Sequence, residues 1–262
     1  MTNNKKTIAI VGSRPDAVHS DADIVYFING SIQNSEHYKH ALHYNHVIGG
    51  TVLLNCYYKQ SGPEDDIATA WMNAFRDQYA DCAIIKHSDK TDINDVVNIL
   101  KNYHYTMNDV VDMGEYKSSE IIKSAIGARV PLGTSRSFHY GFKNGLAMNK
   151  ALIKTLRENF KKRLKCGLKG TRRLNLEGAY PSYFRPSNGT FALLHAMHSY
   201  GYNNIFKLIG IGLDPYAYSY DFNGQRIVDE NIKFRKHIFA DELIIKKAAK
   251  CVDLATDDEL IS

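Results

Sequence analysis

The sequence predicts an α/β fold with a parallel central sheet flanked by helices. Short, continuous apolar runs alternate with segments of helical periodicity, which is the pattern of βαβ units. Runs without polar alternation are typical of strands that are buried on both faces, as in parallel sheets. The chain has 262 residues and is 44% hydrophobic, so it is long enough to build one large domain around a full core.

The elements of the first half follow from these runs in order. The predicted strands are residues 7–11, 24–28, 51–54 and 82–85. The predicted helices are residues 35–45, 65–78 and 92–102. Ligands of open parallel sheets bind beyond the carboxyl ends of the strands. We therefore expect binding residues directly after the predicted strands, namely Gly12, Ser13, Asn29 and Asn55.

The second half continues the same pattern after a basic middle. Residues 115–180 are predicted to be mostly helical. A helix over 189–200 that is closed by Gly201, a strand over 206–211 and a last helix over 240–250 follow. No internal repeat or linker is visible. We therefore predict one Rossmann-like domain over 1–262, with a lid at about 220–236.

Charge and cysteine usage restrict the class of protein. The net charge is +5, and much of the basic excess lies in residues 154–173. Such a stretch suits nucleic acid, an anionic membrane surface or an anionic substrate, or it is the solvated face of a helix. The four cysteines form no CxxC pair, which indicates a reducing compartment without a zinc site or disulfide framework. With a polar start and no apolar run near ~18 residues, we expect a cytoplasmic protein.

Residues 185–190 are the most informative segment. Ser187 or Asn188 can cap a helix that begins there. Free N–H groups at a helix start attract anions, and Gly189 lets a phosphate approach closely. Arg185 would add a planar cation beside the phosphate. The segment indicates either a phosphate site or an ordinary capped helix behind a proline turn.

Histidines and tyrosines supply further candidates. His237 stands after a charged loop and ahead of the last predicted helix, where a histidine suits a general base. The tyrosines within 216–220 are O–H donors for a phosphate or a packed aromatic loop. His37, His40 and His43 have helical spacing. Since no Cys or Glu partner is in register, that spacing favours a polar helix face over a metal site.

Together these motifs resemble the bacterial sialyltransferases of glycosyltransferase family 42, the Campylobacter type. Residues 12–16 are similar to the Gly-Asn-Gly-Pro-Ser loop that ends the first strand of that family. Asn29 and Asn55 match asparagines that end its second and third strands. Arg185 followed by residues 187–189 is similar to its arginine before Thr-Ser-Gly at a helix start.

The resemblance continues in the last third of the chain. Residues 210–216 are similar to the strand end Ser-Gly-Ile-Asp-Phe-Tyr of the family. Tyr218 or Tyr220 matches a second tyrosine of the family, and His237 holds the place of its catalytic histidine. Two departures stand out. Ser13 and Arg14 replace asparagine and glycine in the first loop, and Ser-Asn-Gly replaces Thr-Ser-Gly.

The resemblance implies a metal-independent inverting glycosyltransferase that uses a CMP-sugar donor and no further cofactor. The transferred sugar would be sialic acid or an acidic relative such as Kdo, legionaminic acid or pseudaminic acid. His237 would be the base, Tyr216 with Tyr218 or Tyr220 would bond the leaving phosphate, and Arg185 would offset its charge. The implied donor-binding residues are Gly12, Ser13, Asn29, Asn55, Ser187, Asn188, Gly189 and Asp214.

The implied partners follow from the same reaction. They are a CMP-sugar, a glycan or lipid-linked glycan acceptor, the inner face of the membrane at residues 154–173 and, as a further candidate, a second copy of the chain. The alternative hypothesis is a non-catalytic Rossmann-like protein that binds phosphorylated ligands or nucleic acid. That alternative predicts polyanion binding that falls steeply with salt and shows no preference for cytidine.

Overall fold

Seven strands of the described residues form one sheet in the computed structural model. The structure describes residues 5–14, 17–59, 66–87, 91–126, 186–212 and 238–257. The chain divides into two units, one of Met1–Gly127 with Pro186–Ser262 and one of Ala128–Arg185. All described residues belong to the first unit. The predicted lid at 220–236 and the basic stretch 154–173 lie outside the described residues.

Every pairing in the sheet is parallel. The strands are β1 Thr7–Val11, β2 Ile24–Ile28, β3 His43–Gly49, β4 Tyr79–Lys86, β5 Thr106–Met113, β6 Ile205–Ile209 and β7 Asp253–Thr256. Their order is β5-β4-β3-β2-β1-β6-β7. The predicted α/β class with a parallel central sheet and flanking helices is therefore confirmed.

Helices cover the sheet. They are α1 Gly50–Lys59, α2 Asp66–Asn73, α3 Ile93–Asn102, α4 Glu115–Ile126, α5 Asn188–Tyr200 and α6 Ile238–Ala248, with a 3-10 helix at Asn29–Tyr38. Asp92 caps α3 by accepting a hydrogen bond from the N–H of Asn94 at 2.8 Å. Of the helices within the described ranges, none combines the length and the apolar character needed to cross a membrane.

The core lies between the sheet and these helices. β2 is buried along its whole length and β1 along all but its first residue, as expected for the centre of a parallel sheet. One cluster joins Leu53 of α1, Phe75 after α2, and Val96 and Leu100 of α3, all fully buried. Burying each such side chain stabilises the fold by about 1.5–3 kcal/mol. Helix α5 packs across β1, β2 and β3 with its apolar residues buried.

The predicted elements between residues 35 and 54 are wrong. The helix expected at 35–45 is a 3-10 helix that ends at Tyr38, and His43 begins β3 instead. The strand expected at 51–54 is part of α1. A four-residue apolar run fits a strand or a helix equally well. The actual third strand, β3, has the sequence HYNHVIG, and its polar residues Asn45 and His46 are buried inside the protein.

The same shift separates the three histidines of the predicted polar face. His37 is in the 3-10 helix and stacks on His19, with ring centroids 4.4 Å apart. His40 follows the 3-10 helix, and His43 is in β3. Strands β5 and β7 were not predicted, because β5 is a largely exposed edge strand and β7 has only four residues.

Candidate functional site

The carboxyl ends of all seven strands lie at one edge of the sheet, because every strand is parallel. Strands β2 to β5 lie on one side of β1, and β6 and β7 lie on the other. The point where the strand order reverses is the usual ligand site of such sheets. The residues that follow β1, β2 and β6 therefore form the region in which a candidate site is sought.

Gly12 begins this region directly after β1. Its N–H donates to the carbonyl of Ile209 at the end of β6, at 2.7 Å. A Cβ atom on residue 12 would lie 2.3 Å from the carbonyl oxygen of Gly210. Since real Cβ atoms do not approach backbone so closely, only glycine lets the two loops meet here. Ser13, the next residue, is exposed.

The positive charge of Arg14 is paired with a carboxylate that the sequence analysis did not identify. Its Nη2 lies 3.0 Å from Oδ2 of Asp257, the residue that follows β7. The same carboxylate accepts hydrogen bonds from the N–H of Gly210 at 2.9 and 3.1 Å. The arginine that departs from the family's loop is thus held by a carboxylate beside β6.

Asn29 follows β2 in a left-handed conformation with a φ of 50°, which few residues other than glycine adopt. Its side-chain Oδ1 accepts a hydrogen bond from the N–H of Gly49 at 2.9 Å. The same oxygen accepts one from Nδ2 of Asn188 at 3.3 Å. Residues from the ends of β2 and β3 and from the start of α5 therefore meet at this side chain.

Two buried side chains bond the backbone at and next to Asn29. Ser31 is fully buried, accepts a hydrogen bond from the N–H of Ile28 at 2.7 Å and donates to the carbonyl of Val11 at 2.6 Å. It thereby joins the ends of β1 and β2. His46 is also fully buried, and its Nε2 lies 2.7 Å from the carbonyl oxygen of Asn29. No local pattern in the sequence points to Ser31 or His46, because each acts through partners that lie elsewhere in the chain.

The helix start predicted at residues 187–189 is confirmed. Ser187 is the N-cap of α5 and accepts a hydrogen bond from the N–H of Thr190 at 3.3 Å. The N–H of Ser187 itself donates to the buried carboxylate of Asp241 in α6 at 2.8 Å. Lys86 at the end of β4 donates from Nζ to the carbonyl of Pro186 at 3.0 Å. One carboxylate and one ammonium group therefore flank this helix start.

Two glycines let α5 approach the sheet edge. A Cβ atom on Gly49 would lie 2.7 Å from Nδ2 of Asn188, so the Asn188 amide fills the space of a side chain at the end of β3. A Cβ atom on Gly189 would lie 2.9 Å from Cδ1 of Ile211. The resemblance led us to expect an amide at the end of the third strand. That strand ends in a glycine, and the neighbouring amide comes from α5.

Asn55 does not lie at the sheet edge, because the strand predicted to end there is α1. It is an exposed residue on that helix, five residues beyond its start. The chain turns directly from β3 into α1 at Gly49 and Gly50. Five residues of α-helix rise about 7.5 Å, so Asn55 lies well beyond the strand end.

A second polar cluster lies at the ends of β4 and β5. Nε2 of His87 is 2.8 Å from Oδ1 of Asp112. This hydrogen bond lowers the pKa of the Asp112 carboxyl, aided by a hydrogen bond from the N–H of Gly114. The sequence did not single out this pair, because β5 was not predicted.

The remaining predicted site residues lie outside the described residues. These are Arg185, Asp214, Tyr216, Tyr218, Tyr220 and His237. The roles expected for them stay predictions. Within the ranges that the structure describes, no group of three or more His, Cys, Asp or Glu side chains is placed to hold a metal ion. Comparisons of this chain with protein-family models, with curated proteins and with solved structures find no match.

Proposed function

We propose that this protein is a metal-independent inverting glycosyltransferase that moves sialic acid or a related acidic sugar from a CMP-sugar to a glycan hydroxyl. One observation carries the proposal. Asn29 and Asn188, which are 159 positions apart in the sequence, are joined by a hydrogen bond between their side-chain amides. Both belong to motifs of the proposed family, and a shared nucleotide would need them at one place.

The physical chemistry of this edge suits the nucleotide part of such a donor. The start of α5 carries backbone N–H groups whose partial positive charge favours a phosphate. Gly189 is buried against Ile211, so the space of its missing side chain is taken by Ile211 and not by the phosphate. Lys86 brings a positive charge to the same helix start through Pro186. Asp241 already accepts the N–H of Ser187 and the Ser187 side chain accepts that of Thr190, so the N–H groups of Asn188 and Gly189 are the ones proposed for the phosphate.

In the proposed reaction, the acceptor hydroxyl attacks the anomeric carbon and a new carbon–oxygen bond forms. The bond from that carbon to the CMP oxygen breaks, and CMP leaves with the electron pair. His237 would take the proton of the attacking hydroxyl. Tyr216 with Tyr218 or Tyr220 would donate hydrogen bonds to the departing phosphate, and Arg185 would offset its charge. Asp214 would orient a neighbouring group.

The first experiment is calorimetric titration of the full chain with CMP, UMP, AMP and NAD in the presence of EDTA. The proposal expects binding of CMP alone, and CMP-sugars are then screened for turnover with glycan acceptors. His237→Ala should lower turnover while CMP affinity stays near that of the wild type. Binding of NAD, or salt-sensitive binding of polyanions without a preference for cytidine, would sink the proposal and favour the phosphate-ligand or nucleic-acid alternative.

The proposed setting is the cytoplasm, with residues 154–173 contacting the inner face of the membrane where lipid-linked acceptors are found. The net charge of +5 favours attraction to anionic lipid. Co-sedimentation with vesicles tests this part on its own. Binding to vesicles that contain phosphatidylserine, and not to neutral vesicles, is the expected result. Equal binding to both kinds, or to neither, contradicts it.

A further inference from the structure

A chain of hydrogen bonds leads from Tyr105, the residue before β5, through His46 of β3 to the backbone of Asn29. Oη of Tyr105 lies 2.8 Å from Nδ1 of His46, and Nε2 of His46 lies 2.7 Å from the carbonyl oxygen of Asn29. A carbonyl oxygen only accepts, so Nε2 carries the proton, and Nδ1 accepts the hydroxyl proton of Tyr105. The Asn29 carbonyl therefore selects the tautomer with the proton on Nε2, and the Tyr105 hydroxyl supplies a donor for the other ring nitrogen and holds the ring in place.

The held residue is one whose conformation needs support. A φ of 50° lies in the left-handed region, which asparagine adopts more readily than most residues but which contacts with neighbours help to hold. His46 holds the main-chain carbonyl of Asn29, and Gly49 donates to its side-chain Oδ1. Both partners, His46 and Gly49, are buried residues of β3.

The side-chain amide of Asn29 has a defined orientation as a result. The N–H of Gly49 can only donate, so the Asn29 atom that faces it is the oxygen and not the nitrogen. Asn188 donates to the same oxygen. The NH2 group of Asn29 is then directed the other way, and among the described residues it has no recorded acceptor. It is a fixed pair of donors at the carboxyl edge of the sheet.

We propose that Tyr105 and His46 are positioning residues that aim the Asn29 amide donors at an oxygen of the bound nucleotide. The inference rests on the proposed function for the identity of the ligand. Neither residue touches the nucleotide. If the Tyr105 hydroxyl is removed, Nδ1 of His46 is left buried without a donor, and the ring is no longer held in the orientation that points Nε2–H at the Asn29 carbonyl. A weaker bond to that carbonyl leaves the Asn29 amide without a single orientation.

The chain contains a matched control for this experiment. Tyr26 and His195 form a second Tyr–His pair, in which Oη lies 3.0 Å from Nδ1 and the histidine is partly buried. Tyr26 is 1% exposed and Tyr105 is 3% exposed, so the two tyrosines are buried alike. No hydrogen bond recorded for the Tyr26 pair reaches Asn29; the pair joins β2 to α5 instead. Tyr26→Phe therefore removes the same kind of bond from a comparable environment.

The test compares CMP affinity of the full chain by calorimetry in Tyr105→Phe and Tyr26→Phe, at a temperature where thermal unfolding shows both to be folded. Tyr105→Phe should weaken CMP binding by about tenfold, whereas Tyr26→Phe should leave it within about twofold. His46→Gln retains an N–H donor for the Asn29 carbonyl and should bind CMP more tightly than His46→Leu. This rescue is not expected of a residue that only fills space.

A ligand-free readout separates this inference from the proposed function. The side-chain amide resonance of Asn29, assigned by its loss in Asn29→Asp, should move in Tyr105→Phe and stay in Tyr26→Phe. Absence of CMP binding in the wild type would remove the proposed ligand, and the resonance would still report whether Tyr105 positions Asn29. An unmoved resonance together with wild-type CMP affinity in Tyr105→Phe would overturn the inference and leave the proposed function intact.

Discussion

The two ends of α5 are held in different ways. At the start, the Ser187 cap, the Asp241 carboxylate and the Asn29 amide all bond the first residues. At the end, Gly201 has a φ of 80°, and a Cβ atom on it would meet nothing within 4 Å. The start is thus fixed by contacts from several distant segments, whereas the end follows from the local conformation of a glycine.

The two Tyr–His pairs repeat this contrast. Tyr105 and His46 support the residue that meets the start of α5, and both ring nitrogens of His46 are bonded. Tyr26 meets His195 in the middle of the helix, and the recorded bonds of His195 all use Nδ1. The same residue pair therefore serves the candidate site in one place and helix packing in the other. Contacts that determine a strained residue redundantly are a feature of functional sites.

Acidification is expected to have the largest effect, and it should act on both pairs. Burial lowers the pKa of His46 to about 3 and that of His195 to about 4. In the unfolded chain both histidines have a pKa of about 6.5. Below that pH the unfolded state binds more protons than the folded state, so the free energy of unfolding decreases as the pH is lowered towards the folded pKa values. Each histidine lowers the free energy of unfolding by up to about 1.4 kcal/mol for each pH unit in this range.

Urea unfolding followed between about pH 7 and about pH 4.5 checks this expectation. His46→Gln and His195→Gln should each reduce the dependence of stability on pH. Above about pH 7 both histidines are neutral in either state, so the curve should be flat with respect to them. A slope that neither substitution changes would contradict the assignment.

Alanine at Gly12 and at Gly201 should cost similar stability and differ in ligand binding. At residue 12, the Cβ atom collides with the carbonyl of Gly210, which costs about 2 kcal/mol or more. At residue 201, the strain of a φ of 80° costs about 1–3 kcal/mol. Thermal unfolding and CMP titration are measured on both variants. Only Gly12→Ala should lose CMP affinity, and equal losses would remove the distinction between the two ends.

The Asn188 amide occupies the space that a side chain on residue 49 would fill. Moving the amide from residue 188 to residue 49 should therefore preserve CMP binding. Asn188→Ser should weaken CMP binding by about tenfold, because it removes the amide beside Asn29. Gly49→Asn alone should also weaken binding, since its Cβ atom would lie 2.7 Å from the Asn188 amide nitrogen. The double variant opens that space and restores an amide at the end of β3, so it should recover affinity.

Asn55→Ala is the control for this exchange, because Asn55 is exposed on α1. Calorimetry should find its CMP affinity equal to that of the wild type. A double variant that binds no better than either single variant would show that the two amides are not interchangeable. A loss in Asn55→Ala would restore the residue to the site.

The smallest expected effect concerns helix caps. Ser187→Ala and Asp92→Ala should each lower the free energy of unfolding by about 1 kcal/mol, because each removes a side-chain acceptor for a helix N–H. Denaturant unfolding measures the loss. CMP affinity should fall only in Ser187→Ala, since the Asp92 cap bonds Asn94 of α3 and neither Asn29 nor Asn188. A similar fall in Asp92→Ala would point to a general loss of rigidity.

The sequence by itself determined the features that depend on neighbouring residues. Fully apolar runs such as those of β1 and β2 identify buried parallel strands. The serine cap and glycine closure of α5 identify both of its ends. Asn29 was recognised because its strand was, and its position directly after that strand follows. These signals are local, so they survive without knowledge of what packs where.

Tertiary structure alone decided the rest. β3 could not be recognised, because Asn45 and His46 are polar and become buried only when partners such as Tyr105 satisfy them. Because β3 was not recognised, the end of the third strand was predicted at Asn55, whereas it lies at Gly49. The pairing of Arg14 with Asp257, 243 residues apart, has no local trace either. Polar side chains show their role only through distant partners, since a hydrogen bond depends on position in space and not in sequence.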